Sequence, residues 1–325
     1  MRINELMQPL PYPEDVWEAP DAKTWYSRYS GYAVGSCETS LGSALAAVMR
    51  RELIPAAVGG FGRLAMVHAI YHTTFDLRTT LSNPLTVRLL GSSSSEAIAL
   101  RNWQSRAVEL LELLTPLEAP NTTGNIVLMH HSASLTLHSN FITTIHHVSL
   151  LSFTPIGDLF LFVSPRSNAS EESRARENLL AWICHREGRD ARRAVLSACA
   201  IFSIIRLRPS QSFHESIPFL MATLTVWAYN HLACIVFHEV TNPPPGPAVT
   251  LRLDQVSTAE EAKLWIEKEP GTVRGYLSEV GDIHDHIAGK RLLSVAYQAL
   301  STLNTWGLSH GFSNFLKTLL ESHYS

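Results

Sequence analysis

Histidine is the residue whose abundance first invites a chemical reading. The chain holds 15 of them in 325 residues, and neutral imidazole is the commonest protein ligand for transition metals. His68 and His72 stand four apart, which places both rings on one face of a helix. The metallopeptidase signature H-E-x-x-H uses that spacing to hold zinc, with the glutamate as general base. Here the second position is Ala69, so the base is missing and no obvious third ligand follows. The adjacent pairs His130-His131 and His146-His147 point in different directions on a helix and cannot share one ion simply. Asp282-Ile283-His284-Asp285-His286 is the densest remaining cluster. It precedes a helical pattern, where acidic groups cap N–H groups and complement the dipole. A helical metal-dependent enzyme would have to use His68/His72 or the Asp282 to His286 group; packing and capping account for both more simply.

Other chemistries find less. There is no G-x-S-x-G elbow, no G-x-G-x-x-G and no G-x-x-x-x-G-K-[ST]. Gly59-Gly60-Phe61-Gly62 opens a helix, but no strong strand precedes it and no Lys-Ser/Thr follows. A tight helix-helix turn is therefore the expectation, not a phosphate loop. Arg174, Arg176, Arg186, Arg189, Arg192 and Arg193 form a basic cluster, yet Glu171, Glu172, Glu177, Glu187 and Asp190 interleave with them. Ion pairs on a solvated helical surface are expected there, not a nucleic-acid face. Carboxylate pairs need only spatial proximity and stay open at this level. No catalytic, cofactor-binding or metal-ligating residue is assigned.

The elements that must position these residues read as helices. A hydrophobic fraction of 46% against 17% charged describes a folded chain with helices buried on more than one side. Its length allows one large core, or two modest ones. With Lys+Arg at 26 against 29 for Asp+Glu, the net charge of −3 disfavours DNA binding by this chain alone. Cys37, Cys184, Cys199 and Cys234 form no CxxC pair, so buried thiols are expected and no disulfides. The Pro-broken, acidic start does not fit a signal peptide. The most apolar segment, Ile217 to Val240, carries Asn230, His231, His238 and Glu239 and reads as a buried core helix, not a roughly 20-residue membrane span.

Residues 1–35, with Pro9, Pro11, Pro13 and Pro20 among Tyr12, Trp17, Trp25, Tyr26, Tyr29 and Tyr32, read as an extended aromatic arm packed on a helical body, 36–325. Apolar residues then recur at three and four: Leu41 to Met49, Leu64 to Phe75, and Ile98 to Leu114, stopped by Pro116. Gly124 to His147 is expected to be helical with a break near Ser139-Asn140, and periodicity does not assign Asp158 to Val163. Glu171 to His185 and Asp190 to Leu207 are strong helices; Ile217 to Phe237 follows, then a Pro-rich loop at about 242–248. Ser257 with Glu260 marks a capping-box start for a helix through Trp265. The last helices are expected over Ile283 to Leu303 and Trp306 to Leu320. No sustained strand alternation appears, so the expected class is all-α.

Several segments then resemble one family. Pro11 to Trp25, PYPEDVWEAPDAKTW, is similar to the "LP-cys-pro…LW-x-A-x-x-x-x-W" stretch of fungal transcription factors with two-Cys, two-His zinc fingers, with Tyr12 in the place of the cysteine. Arg63 to Ala69 resembles the family's next helix, and Asn125 to His138 its central "LYHLAHIALH" helix. Trp182 with Ala191-Arg192-Arg193-Ala194 resembles a Trp followed by Ala-Arg-x-Ala, and Trp306 to Phe312 the C-terminal "WGLSRxF", with His310 in the Arg position. The matches are collinear over nearly the whole chain. The resemblance implies an all-helical fungal-specific transcription factor domain, the xylanolytic-activator-type or middle homology region. It further implies a nuclear role in RNA polymerase II transcription. Expected partners are co-regulators or a DNA-binding module, a small effector, and a second copy in a homodimer, with no membrane. The family's zinc belongs to fingers N-terminal to the matched region, and no C-x-x-C…H-x-x-x-H occurs here.

Overall fold

A computed structural model describes residues 7–33, 39–52, 58–82, 94–114, 132–184, 188–210, 212, 214–238, 249–267, 272–303 and 307–324. Cys37, Pro116, Gly124 to His131, His185 to Glu187, the Pro-rich loop and Trp306 lie outside the described residues. The described part is predominantly all-α, with 13 helices and one small sheet of three strands. Its contacts divide into two compact units, Met1–Val148 and Ser149–Ser325.

The first unit holds α1 (Glu14–Trp17), α2 (Ala22–Ala33), α3 (Leu41–Met49), α4 (Gly60–Ser82), α5 (Ser94–Leu114) and most of α6 (Ser132–Phe153). Its core joins Val48 of α3, Met66 and Ile70 of α4, Leu110 and Leu114 of α5, and Phe141 and Ile145 of α6. The i, i+3 and i+4 spacing of these residues is what brings them onto inward stripes. The arm is not extended as expected: residues 14–17 and 22–33 are helical. Each proline precedes a helix there or sits outside it, where a missing N–H costs nothing. Asp21 caps α2, accepting the Thr24 N–H at 2.8 Å. The arm's start pairs with the body, where the Leu10 N–H donates to Thr39 O at 2.9 Å and the Leu41 N–H to Gln8 O at 3.0 Å. The expected break at Ser139-Asn140 is absent, since both residues sit inside α6 and Asn140 O accepts the Thr144 hydroxyl at 2.8 Å.

The second unit holds the remainder of α6, then α7 (Ile156–Val163), α8 (Ala169–Cys184), α9 (Gly188–Leu207), α10 (Ser216–His238), α11 (Ala259–Glu267), α12 (Ala288–Thr302) and α13 (Leu308–Tyr324). The unassigned run at Asp158 to Val163 is helix α7. Helix α10 is apolar on all sides and buried along most of its length, as such a composition requires. It packs on α9, where Phe202 stacks on Phe219 with centroids 5.0 Å apart, and on α12. Among the described residues no single helix is long and apolar enough to cross a membrane; Ser139–Phe153 with Ile156–Val163 passes only as a pair bent by 85°.

The sheet was not expected. Strand β1 (Val249–Arg252) pairs parallel with β2 (Val273–Leu277), crossing over through α11, and β2 pairs antiparallel with β3 (Gly281–Asp282). Alternate residues of β2 are buried, which is the half-buried strand pattern, but five residues are too few to carry it in sequence. Gly275 lets the strand meet α11: a Cβ there would stand 2.6 Å from Leu253 and 3.0 Å from the Trp265 ring. The box that opens α11 is shifted by one residue. Thr258 Oγ1 accepts the Glu261 N–H at 3.2 Å, and Glu261 Oε2 accepts the Thr258 N–H at 3.2 Å. Helix α12 begins at Ala288 and not at Ile283, because β3 and its following turn consume the intervening residues.

Candidate functional site

The histidines named in sequence come apart in the structure. His68 and His72 are exposed on α4, and among the described residues no group of three His, Cys, Asp or Glu side chains is placed to hold one metal ion. His146 and His147 sit on α6, partly buried; burial pushes both imidazoles down to about 4, with the His68 charge adding to the shift of His147. Both are neutral near pH 7.

The Asp282 to His286 group acts on its own backbone. Asp282 Oδ1 accepts the His284 N–H at 2.9 Å and lies 3.2 Å from His284 Nδ1, while Asp285 Oδ1 accepts the Ile287 N–H at 3.2 Å. The buried Asn230 of α10 then donates to Ile283 O and Asp285 O, both at 2.8 Å. This turn is a clamp between α10 and α12. A different pair is brought together that the sequence did not reveal: His231 of α10 stacks on Trp227 at 5.2 Å, and His323 of α13 meets His231 at 5.3 Å. Burial lowers both imidazoles, His231 further through the charges of His323 and Arg176. Almost a hundred positions separate them, so no local spacing could announce the contact.

The arginine cluster divides. Arg174 and Arg176 are exposed, as expected for a solvated face. Arg192 departs from that expectation, since it is 8% exposed. Its guanidinium donates twice to Ile266 O, at 2.9 and 2.8 Å, while its own carbonyl accepts the Trp265 indole N–H at 2.9 Å. A cation therefore closes the last turn of α11, where the helix dipole favours positive charge. Arg193 lies 5.5 Å over the Phe153 ring. The glycine run at 59–62 is likewise more than a turn. The Gly60 and Phe61 N–H groups donate to the Glu14 carboxylate at 2.9 and 2.6 Å, and a Cβ on Gly59 would stand 2.5 Å from that carboxylate. An anion does occupy the start of α4, and it is the arm's own.

One concave site stands apart from these structural contacts. In the second unit a cavity of about 720 Å³ opens between α7, α10 and the first turns of α13. Phe160 and Val163 supply one wall, Leu220 a second, and Leu308, Phe312 and Phe315 a third. Ser164 is the lone polar side chain of the lining, and no lining residue is charged. Gly157 and Gly311 face open space, with nothing within 4 Å of a Cβ built on either. The α13 wall is the segment resembling the family's C-terminal motif. Ser309 in that segment is buried and donates to Leu303 O at 2.5 Å, which fixes the helix start relative to the end of α12. Sequence reasoning missed this pocket.

With this geometry in view, the chain is similar to a protein of Gibberella fujikuroi (strain CBS 195.34 / IMI 58289 / NRRL A-6831) named "Transcription factor". The two are 28% identical over 310 residues, which is 94% of this chain and 34% of that protein. The chain thus spans about a third of that relative's length. No family model matches the chain, and no solved structure does.

Proposed function

We propose that the chain is the regulatory region of a fungal RNA polymerase II transcription factor, of the fungal-specific, middle homology type, and that it works in the nucleus. The observation that carries this reading is the alignment with a transcription factor over almost the entire chain. The order of the family-like segments, from Trp17 to Phe312, supports it. The role is control of transcription and not catalysis, a reading supported by the Asp282 to His286 run and Arg192 serving as turn and helix-end clamps. Its contacts are with co-regulators or a DNA-binding module. Contact with DNA through this chain alone is not part of the role, given its net charge of −3.

The test is to tether the chain to a heterologous DNA-binding domain in a fungal reporter strain and to follow a fluorescent fusion. A rise or fall in reporter output over the untethered chain, with nuclear fluorescence, is expected. Unchanged output in both directions together with exclusion from nuclei overturns the reading.

A further inference from the structure

We propose that the cavity between α7, α10 and α13 is a binding site for a neutral, apolar small molecule with at least one ring, and that this ligand acts on the second unit. The volume of about 720 Å³ falls within the range of small-molecule pockets. Phe160, Phe312 and Phe315 offer aromatic faces, which favour stacked or edge contacts with a ring. Phe160 and Leu308 are 44% and 41% exposed, so apolar area on this rim faces water until something covers it.

Three features favour a small molecule over a flat protein partner. The walls come from three separate helices and line a concave groove that stays open to water on one side. Two of them are opened by glycines, Gly157 on α7 and Gly311 on α13, which leave room where any other residue would place a side chain. The walls themselves are held by buried contacts: Leu159 on the inner side of α7 and Leu316 on the inner side of α13 are both fully buried. A pocket built on such elements is preformed, and ligand binding then carries little ordering cost.

The chemistry of the ligand follows from the lining. No charged side chain faces the cavity, so an ionised ligand would lose hydration without a partner. Ser164, whose oxygen accepts the Arg166 N–H at 3.2 Å, keeps a hydroxyl proton for one acceptor atom on the ligand. The ligand is thus a ring system with a single hydrogen-bond acceptor near the α7 end. This proposal deepens the regulatory reading by giving it an effector, and binding to purified chain tests it without any transcriptional readout.

The experiment is a fluorescence titration of the full chain with 6-propionyl-2-dimethylaminonaphthalene, a neutral aromatic probe with one carbonyl acceptor. Saturable binding is expected at a dissociation constant on the order of micromolar. Gly311→Leu and Gly157→Leu, each adding a side chain into open space, are expected to weaken it by on the order of tenfold or more. Gly31→Leu is the matched control: Gly31 lies on α2 with nothing within 4 Å of its Cβ, and binding there is expected to stay unchanged. A sulfonated analogue of the probe is expected to bind more weakly than the neutral one. Retained folding of all variants is read from circular dichroism. Absence of saturable binding to the parent chain, or binding that survives both pocket substitutions, overturns the proposal. So does a dimer in sedimentation that Gly311→Leu dissociates while no probe binds, since a second copy would then be the occupant. A silent reporter alongside pocket-dependent probe binding would sink the transcriptional reading and leave this one standing.

Discussion

The two units secure their helices by different means. In residues 1–148 several fastenings between elements are charged and near water, as the Arg206–Glu279 pair of the second unit also is. Glu14 caps α4, Arg51 and Arg106 both reach Glu109, and Arg106 also donates to Met49 O. In residues 149–325 buried side chains reach across to backbone carbonyls. Trp182 donates to Phe153 O at 2.8 Å, Trp265 to Arg192 O at 2.9 Å, and Asn230 and Arg192 each close a turn of a neighbouring element. Exposed ion pairs contribute little and are screened by salt. Buried hydrogen bonds are costly to break, because the group left behind has no water to turn to. The second unit, with these buried clamps, is therefore the better frame for a pocket, while charge and titration bear on the stability of both units.

The sharpest way to break this comparison is to open each core in turn. Trp227→Ala and Met66→Ala remove fully buried side chains from the second and first unit. Each is expected to cost about 3 kcal/mol or more. Hydrogen exchange read by mass spectrometry should show lost protection confined to residues 149–325 for the first and to 1–148 for the second. Loss over the whole chain from either change would mean that the units do not unfold separately.

Acid should come next in size, acting through His146 and His147 in the first unit and, by the same burial, through His231 and His323 in the second. The His146 and His147 imidazoles titrate near 4 in the folded chain against an ordinary value of 6.5. Between those values the unfolded chain binds protons that the folded chain refuses, so stability falls as pH drops through that window. Both rings are partly exposed, and each shift discounted for that is worth on the order of 1 kcal/mol. His147→Gln is expected to flatten the fall in melting temperature between those two pH values, and an unchanged slope would remove His147 from this account.

The smallest expected effect is at the arm. Glu14→Ala leaves the first N–H groups of α4 to water and is expected to cost about 1 kcal/mol, as lost caps do. Protease nicking within residues 7–33 should rise while the second unit stays resistant. Equal resistance of the arm in parent and variant would show that the backbone pairing of Leu10 and Leu41 holds it without the cap.

Helix class, the main helical spans and the buried character of the middle of α10, from Phe219 to Asn230, were determined by the sequence alone. Period and composition are local properties, and burial follows from them with little help from partners. The missing general base beside His68 was legible for the same reason. Tertiary structure alone decided the rest. Whether Arg192 met water or the end of α11 depended on a helix more than sixty residues away. The Asp282 to His286 run became a turn because Asn230 reached it from α10. The sheet rested on pairing between strands of two to five residues, too short to show a period. The pocket is the extreme case, since a cavity is defined by what three distant segments leave unfilled, and no residue's own chemistry records the space beside it.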